Sequence, residues 1–297
     1  MDISTNHPAS HQIQIPSSGT KLNVEKQLRK AIEGSNHNLT TSLIKQLSRG
    51  WGPESLTTPP YFGPSILSLA VKKQSQQAIK AILDEKPPMD ALRMGKNILY
   101  SALDHFNPEC FHLLSNHAAT AEPSLMTTTN WLPSTFHFGL KRDRYLAPPV
   151  FYAVTSGNLE GFKLLLPKLP RLVQHFFEGY SLLEHIIKSR KEEFLKIFLE
   201  EAESRNELWA VLNNENSRIP TGYGGIDILE TGRTPPEIAE YHDWKPGLEI
   251  LFEYKAYINL NHRDTYHNRF QDHLESRAEQ LFTSQDHKNF YKNLLRV

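Results

Sequence analysis

The chain has 297 residues, enough for one elongated domain or two compact ones. Its 33 basic residues balance 33 acidic ones, which argues against nucleic acid as the partner, because phosphate binding normally draws on a basic excess. The lone cysteine, Cys110, excludes an internal disulfide framework, and no apolar run approaches the roughly 18 residues of a membrane span.

Residues 1–22 are rich in Ser, His, Asn, Gln and Pro and read as a flexible polar tail. They lack a basic start followed by an apolar stretch, so no secretory leader is expected and a cytoplasmic location is the simplest reading. From residue 23 a repeated pattern takes over. Around Ala70 stand Gly63 and Leu67 before it, and Ile79, Ile82 and Leu83 after it. The same ruler fits Ala102 with Gly95, Leu99, Phe111 and Leu114, and Ala153 with Val150, Phe162, Leu165 and Leu166, where Leu146 replaces the glycine. It fits Ile186 with Gly179, Leu183, Leu195, Phe198 and Leu199, and Ala239 with Gly232, Leu248, Leu251 and Phe252.

Each position has a physical reason. The glycine suits a positive φ in a tight turn. Leucine and the small residue three later share one face of a short helix, and the small residue lets a neighbouring helix approach. The later apolar set, spaced three and four apart, marks the buried stripe of a second helix. Gly157 and Asn158 supply the turn between the two. A unit of this kind cannot bury its apolar face alone, so units must stack.

The repeat resembles the ankyrin repeat. Thr234-Pro235 keeps the helix-opening pair of that family, and GNLEGFKLLL at 157–166 and SILSLAV at 65–71 are similar to its helices. The resemblance implies an all-α solenoid of stacked helix-turn-helix units over residues 23–254. Clear repeats start at 63, 95, 146, 179 and 232, and a weaker unit at 28–50 is expected to cap the N-terminal end. The spacing leaves two insertions, at about 117–146 and 200–232. Residues 255–297 are expected to form a C-terminal helical cap, with Phe270, Leu274 and Leu281 as a stripe and Thr283-Ser284-Gln285-Asp286 opening the last helix.

Signals of chemistry are weak. His262-Arg263-Asp264 resembles a kinase catalytic loop but lacks the asparagine five residues on, where Arg269 stands. His262, His267 and His273 are not spaced for one helix face, and no metal or cofactor is expected. The Gly-rich run 221–225 lacks a phosphate-loop ending. Lys288, Lys292 and Arg296 read as a solvated face, and Cys110 as a buried, inert thiol.

The resemblance implies a non-enzymatic monomer that binds a protein partner through the concave side of the stack. Carried over position by position, that surface comprises Lys72, Lys73, Asp104, His105, Thr155, Ser156, Lys188, Ser189, Tyr241 and His242 near the ends of the first helices. The hairpin positions add Pro64, Lys96, Ala147, Tyr180 and Arg233. Degenerate repeats and long insertions are also similar to effector proteins that intracellular bacteria inject into host cells. The rival reading is an enzyme whose site is formed by the insertions or the C-terminal helices; a pocket with converging titratable groups would favour it.

Overall fold

A computed structural model describes residues 18–58, 63–88, 98–121, 123, 126, 147–177, 180–214, 232–264, 267–279 and 284–296. The chain divides into two compact units, residues 1–94 and 95–297.

In the first unit, α1 (Ser18–Glu33) and α2 (His37–Trp51) form one helix pair, and α3 (Ile66–Lys72) and α4 (Gln76–Asp84) form the next. First helix packs on first helix and second on second. The N-terminal pair is longer than the 28–50 expected. Helix α1 starts at Ser18, inside the stretch read as polar tail, because Val24, Leu28, Ala31 and Ile32 give it a buried stripe that holds the preceding turn in helix.

The second unit holds α5 (Ile98–Asp104), α6 (Pro108–Ala121), α7 (Pro149–Ser156), α8 (Leu159–Leu165), α9 (Leu182–Lys188) and α10 (Glu192–Ser204). Then come a short α11 (Leu208–Leu212), α12 (Pro235–Tyr241) and α13 (Lys245–Phe252). The C-terminal pair is α14 (Phe270–Glu279) and α15 (Gln285–Arg296). The first helices α5, α7, α9 and α12 pack in chain order, and so do the second helices α6, α8, α10 and α13. A two-residue hairpin, β1 (Phe176–Phe177) with β2 (Tyr180–Ser181), precedes α9.

The small residues sit where helices cross: Ala70, Ala153 and Ala239 are fully buried and Ala102 nearly so, and the larger Ile186 is fully buried at the same position. The second-helix stripes expected from the ruler are buried throughout, each large apolar side chain contributing about 1.5–3 kcal/mol relative to exposure. Ser65 accepts the amide of Ser68 at 3.1 Å and Ser181 that of Glu184 at 3.2 Å, capping α3 and α9. Thr234 and Glu237 bond reciprocally at the start of α12, with the Thr234 amide donating to Glu237 Oε2 at 2.6 Å.

The turns within the helix pairs of the repeats, α5–α6 excepted, carry a regularity beyond the ruler. Four residues after the small position the chain has positive φ: Ser35, Gln74, Gly157, Arg190 and Asp243 lie between 47° and 76°. The following amide returns to the small residue's own carbonyl, from Asn36 to Ala31 at 2.9 Å, Ser75 to Ala70 at 3.0 Å, Asn158 to Ala153 at 2.9 Å and Trp244 to Ala239 at 3.0 Å. This is the six-to-one bond of a Schellman turn. In three of these units the same residue also caps the second helix: Asn36, Ser75 and Asn158 accept the amides of Leu39, Ala78 and Gly161. One helix therefore ends and the next begins within two or three residues.

The segment expected as the second insertion starts with one more such turn. Helix α10 stops at Ser204, Asn206 has φ 57°, and the Glu207 amide donates to Ala202 O at 2.8 Å. The run EEAESRNELWAVL is thus two helices, broken at 205–207. Arg205 then anchors the turn, donating to the carbonyls of Leu169 and Leu166 at 2.7 and 3.0 Å. Residues 215–231, most of residues 122–146, and the expected turn positions Gly95, Leu146 and Gly179 lie outside the described residues.

Neighbouring repeats in the second unit are joined by side chains from these turns. Asn158 donates to Leu103 O at 3.1 Å, Lys191 to Val154 O at 2.6 Å and Arg190 to His242 O at 2.8 Å. At the C-terminal end, Phe270 packs on Phe252, Arg277 Nε donates to Glu240 at 2.7 Å, and Tyr291 OH donates to Asp243 at 3.1 Å. Phe270 and Leu274 are buried as expected; Leu281 lies outside the described residues, and Ala278 is buried on α14. Ser284 caps α15 by accepting the His287 amide at 3.3 Å.

Two predictions follow from this packing. Ala102→Leu should overpack α5 and lower stability by about 1–3 kcal/mol in denaturant unfolding; an unchanged midpoint would contradict the crossing. His185, edge-on to Phe151 at 5.3 Å, is pushed by burial, and then by Lys188 and Lys191, from the ordinary 6.5 to about 4. A depressed histidine contributes stability that is complete above pH 6.5 and is lost as pH falls through 4. The loss should approach about 3 kcal/mol. Urea unfolding at pH 7, 5.5 and 4.5 should show a shallower decline for His185→Leu than for the wild type.

Candidate functional site

The ends of the first helices and the hairpin positions are the candidate surface, and the structure sorts them by what each side chain already does. In the first unit, Lys72 and Lys73 are exposed at the end of α3. Lys96 lies outside the described residues.

In the second unit, Asp104 and His105 are exposed at the end of α5, and Asp104 accepts a 2.5 Å hydrogen bond from Tyr152 OH of the next repeat. Thr155 and Ser156 are exposed, but their hydroxyls donate back to Phe151 O and Tyr152 O of their own helix. Asp104 and Ser156 line a cavity of about 460 Å³ with Leu103, Phe106, Gly157 and Asn158. This recess joins two repeats through their turns. Tyr180 and Lys188 form a pair: the ammonium donates to the phenol oxygen at 2.5 Å and lies 4.1 Å from the ring centre. Ala147 is buried.

Arg233, Tyr241 and His242 belong to the last repeat. Tyr241 and His242 are half-buried and stack edge-on at 5.2 Å. Arg233 departs from the expectation of an open hairpin position. It is only 8% exposed, and its guanidinium carbon sits 4.5 Å from the centre of the Tyr241 ring. One residue precedes the cap of α12 and the other ends that helix, so the arginine stem runs along one helix face to reach the ring.

Sequence reasoning did not place the C-terminal helices at this site. Glu240 from α12 and His273, Ser276 and Arg277 from α14 line a cavity of about 280 Å³ together with Arg233 and Tyr241. Glu240 is 3% exposed and is held by Arg277. His273 Nε2 lies 3.1 Å from Asp264 Oδ2. The available signal was the arginine and the tyrosine at opposite ends of a seven-residue helix, but nothing local in the sequence brings α14 alongside.

His262-Arg263-Asp264 has an architectural role. His262 Nδ1 bonds to Glu237, the carboxylate that caps α12, at 3.0 Å. Asp264 Oδ1 accepts the Asn268 amide at 3.0 Å, and Arg263 donates to His267 O at 2.7 Å. The motif closes the loop between the last repeat and α14. Cys110 is buried, and burial followed by Glu109 raises its pKa. Among the described residues no cluster of His, Cys, Asp and Glu is placed to hold a metal ion, and no helix is long and apolar enough to cross a membrane.

No family model matches the sequence, and no curated protein matches it. Solved structures do match. The ankyrin repeat domain of Bcl-3, described as a unique member of the IkappaB protein family, aligns with a TM-score of 0.57 at 16% identity, covering 90% of this chain and 97% of that one. An ankyrin repeat protein from Leishmania major aligns with a TM-score of 0.56 at 12% identity, covering 93% of this chain and all of that one. With the buried small residues, the paired helices and the repeated turn, these likenesses establish that the chain has the ankyrin-repeat fold.

Proposed function

We propose that this chain is a protein-interaction module that engages its partner through the first-helix ends and hairpin positions of its repeats. The observation that carries the reading is the chemistry left at that surface: Tyr180 under Lys188, and the half-buried Tyr241 against the buried Arg233, are aromatic and cationic groups already braced against each other. Tyrosine and arginine are the side chains that most often anchor protein interfaces, and bracing lowers the entropy lost on binding. The solved ankyrin-repeat structures support the reading at the level of fold.

The cavity beside Arg233 does contain converging titratable groups, the feature that would favour an enzyme. Its arrangement supports binding rather than reaction. Arg277 holds the carboxylate of Glu240, Asp264 holds His273, and Ser276 makes no hydrogen bond to His273 among the described residues. The expected effector role belongs to this proposal as well, resting on degenerate repeats and long insertions. Its test is a reporter fusion scored for transfer into host cells.

Affinity capture from lysate followed by mass spectrometry should return a protein partner. Tyr241→Ala should weaken that complex about tenfold or more, which is roughly 1–2 kcal/mol, and leave the fold intact. Lys292→Ala, on the exposed face of α15, serves as the control. Loss of binding in the Lys292 variant with none in Tyr241→Ala or Lys188→Ala would move the interface to the C-terminal helices.

A further inference from the structure

We propose that the cavity between α12 and α14 is a carboxylate-binding pocket that receives an acidic side chain of the protein partner; this rests on the interaction reading above. Four observations carry it. Arg233 is more than nine-tenths buried, and its Nε has no hydrogen-bond partner among the described residues. Isolated buried charge is costly, and arginine does not shed its proton, so the site favours an incoming anion. Tyr241 covers one face of the guanidinium at 4.5 Å, which leaves the in-plane N–H edge as the part available for bonding. Arg277, the second guanidinium of the lining, already spends its Nε on Glu240.

Charge and size select the anion. The lining holds two guanidiniums, Arg233 and Arg277, against one carboxylate, Glu240. The guanidiniums outnumber the carboxylate by one, and that excess matches the single charge of a carboxylate better than a phosphate dianion. A carboxylate also presents two oxygens in the geometry that the planar fork of arginine accepts. The volume, about 280 Å³, falls just below the range for pockets that enclose a whole drug-sized ligand, and suits a single inserted side chain.

The pocket also gives the C-terminal helices a second use. Helix α14 covers the last repeat, as a capping helix should, and in doing so brings His273, Ser276 and Arg277 to the open side of Arg233. The end cap thereby becomes one wall of a recognition site.

The test uses the full chain and two variants, Arg233→Met and Arg277→Met. The probes are an acetylated tetraglutamate peptide, sodium acetate and inorganic phosphate, compared at matched ionic strength. Arginine Nε–H resonances followed by NMR should show saturable movement of Arg233 with tetraglutamate, and the melting temperature should rise with peptide concentration. Arg233→Met should fold with equal or higher stability, since it removes a buried unpaired charge, and should lose the peptide response entirely. Arg277→Met should weaken it several-fold. Acetate acting as strongly per carboxylate as the peptide would overturn the assignment to a partner's side chain. Phosphate binding more tightly than the peptide would overturn the carboxylate. An Arg233→Met protein that unfolds would show the arginine to be structural and overturn the proposal. The captured partner separates the two readings. If it binds Arg233→Met as well as the wild type, the pocket fails and the interaction module stands. If tetraglutamate moves Arg233 but lysates yield no partner, the carboxylate site stands, while the interaction reading and the assignment of the site to a partner's side chain fail.

Discussion

One hydrogen bond, repeated in most of the helix pairs, sets the geometry of their turns. In four of the six described repeat pairs the amide just before the second helix returns to the carbonyl of the small residue in the first: Asn36 to Ala31, Ser75 to Ala70, Asn158 to Ala153 and Trp244 to Ala239. Because the acceptor is the backbone of the same residue that is packed at the helix crossing, turn and crossing are fixed together. A bulkier side chain at that residue would push the neighbouring helix away, and a longer turn would shift the second-helix stripe out of register.

The same turns also tie one unit to the next. Asn158 and Lys191 occupy corresponding positions, and each donates to the carbonyl following the small residue of the preceding repeat, Leu103 O and Val154 O. The bonds satisfy carbonyls that a helix end otherwise leaves open. In the last repeat the corresponding position is Trp244, which is buried. The end of the stack is instead secured by Glu240 with Arg277, Asp243 with Tyr291, and Glu237 with His262. Ionisable side chains therefore gather at the C-terminal end, where the candidate pocket lies.

Much of this was legible in the sequence, for a definite reason. The small residue and the second-helix stripe are set by volume and apolarity, and both are properties of residue type, so Ala70, Ala153 and Ala239 and the leucines beyond them could be read by spacing. The left-handed turn residue is set by backbone conformation instead. Serine, glutamine, glycine, arginine and aspartate all occupy it, and only Gly157 announces itself. For the same reason the break at Asn206 was hidden inside what reads as a continuous helix. The candidate surface was legible by position but not by burial. Nothing in residues 232–242 alone shows that Arg233 is covered, because the covering comes from Tyr241 and from α14, over thirty residues downstream. The His262-Arg263-Asp264 motif could be dismissed as catalytic from its spacing, yet its role in closing a loop depends on Glu237, twenty-five residues earlier.

The account gives the turn bond a strength that a surface turn would not have. If the stack depends on it, the bond breaks only when the repeats come apart. Native-state hydrogen exchange, followed by NMR at the amides of Asn158, Glu207 and Trp244, measures this directly. The account predicts that these three turn amides exchange as slowly as the core amides of α8 and α10, with opening energies close to that of global unfolding. Exchange at the rate of fraying helix ends, while α8 and α10 stay protected, would show that the turns are consequences of the packing and would contradict the claim.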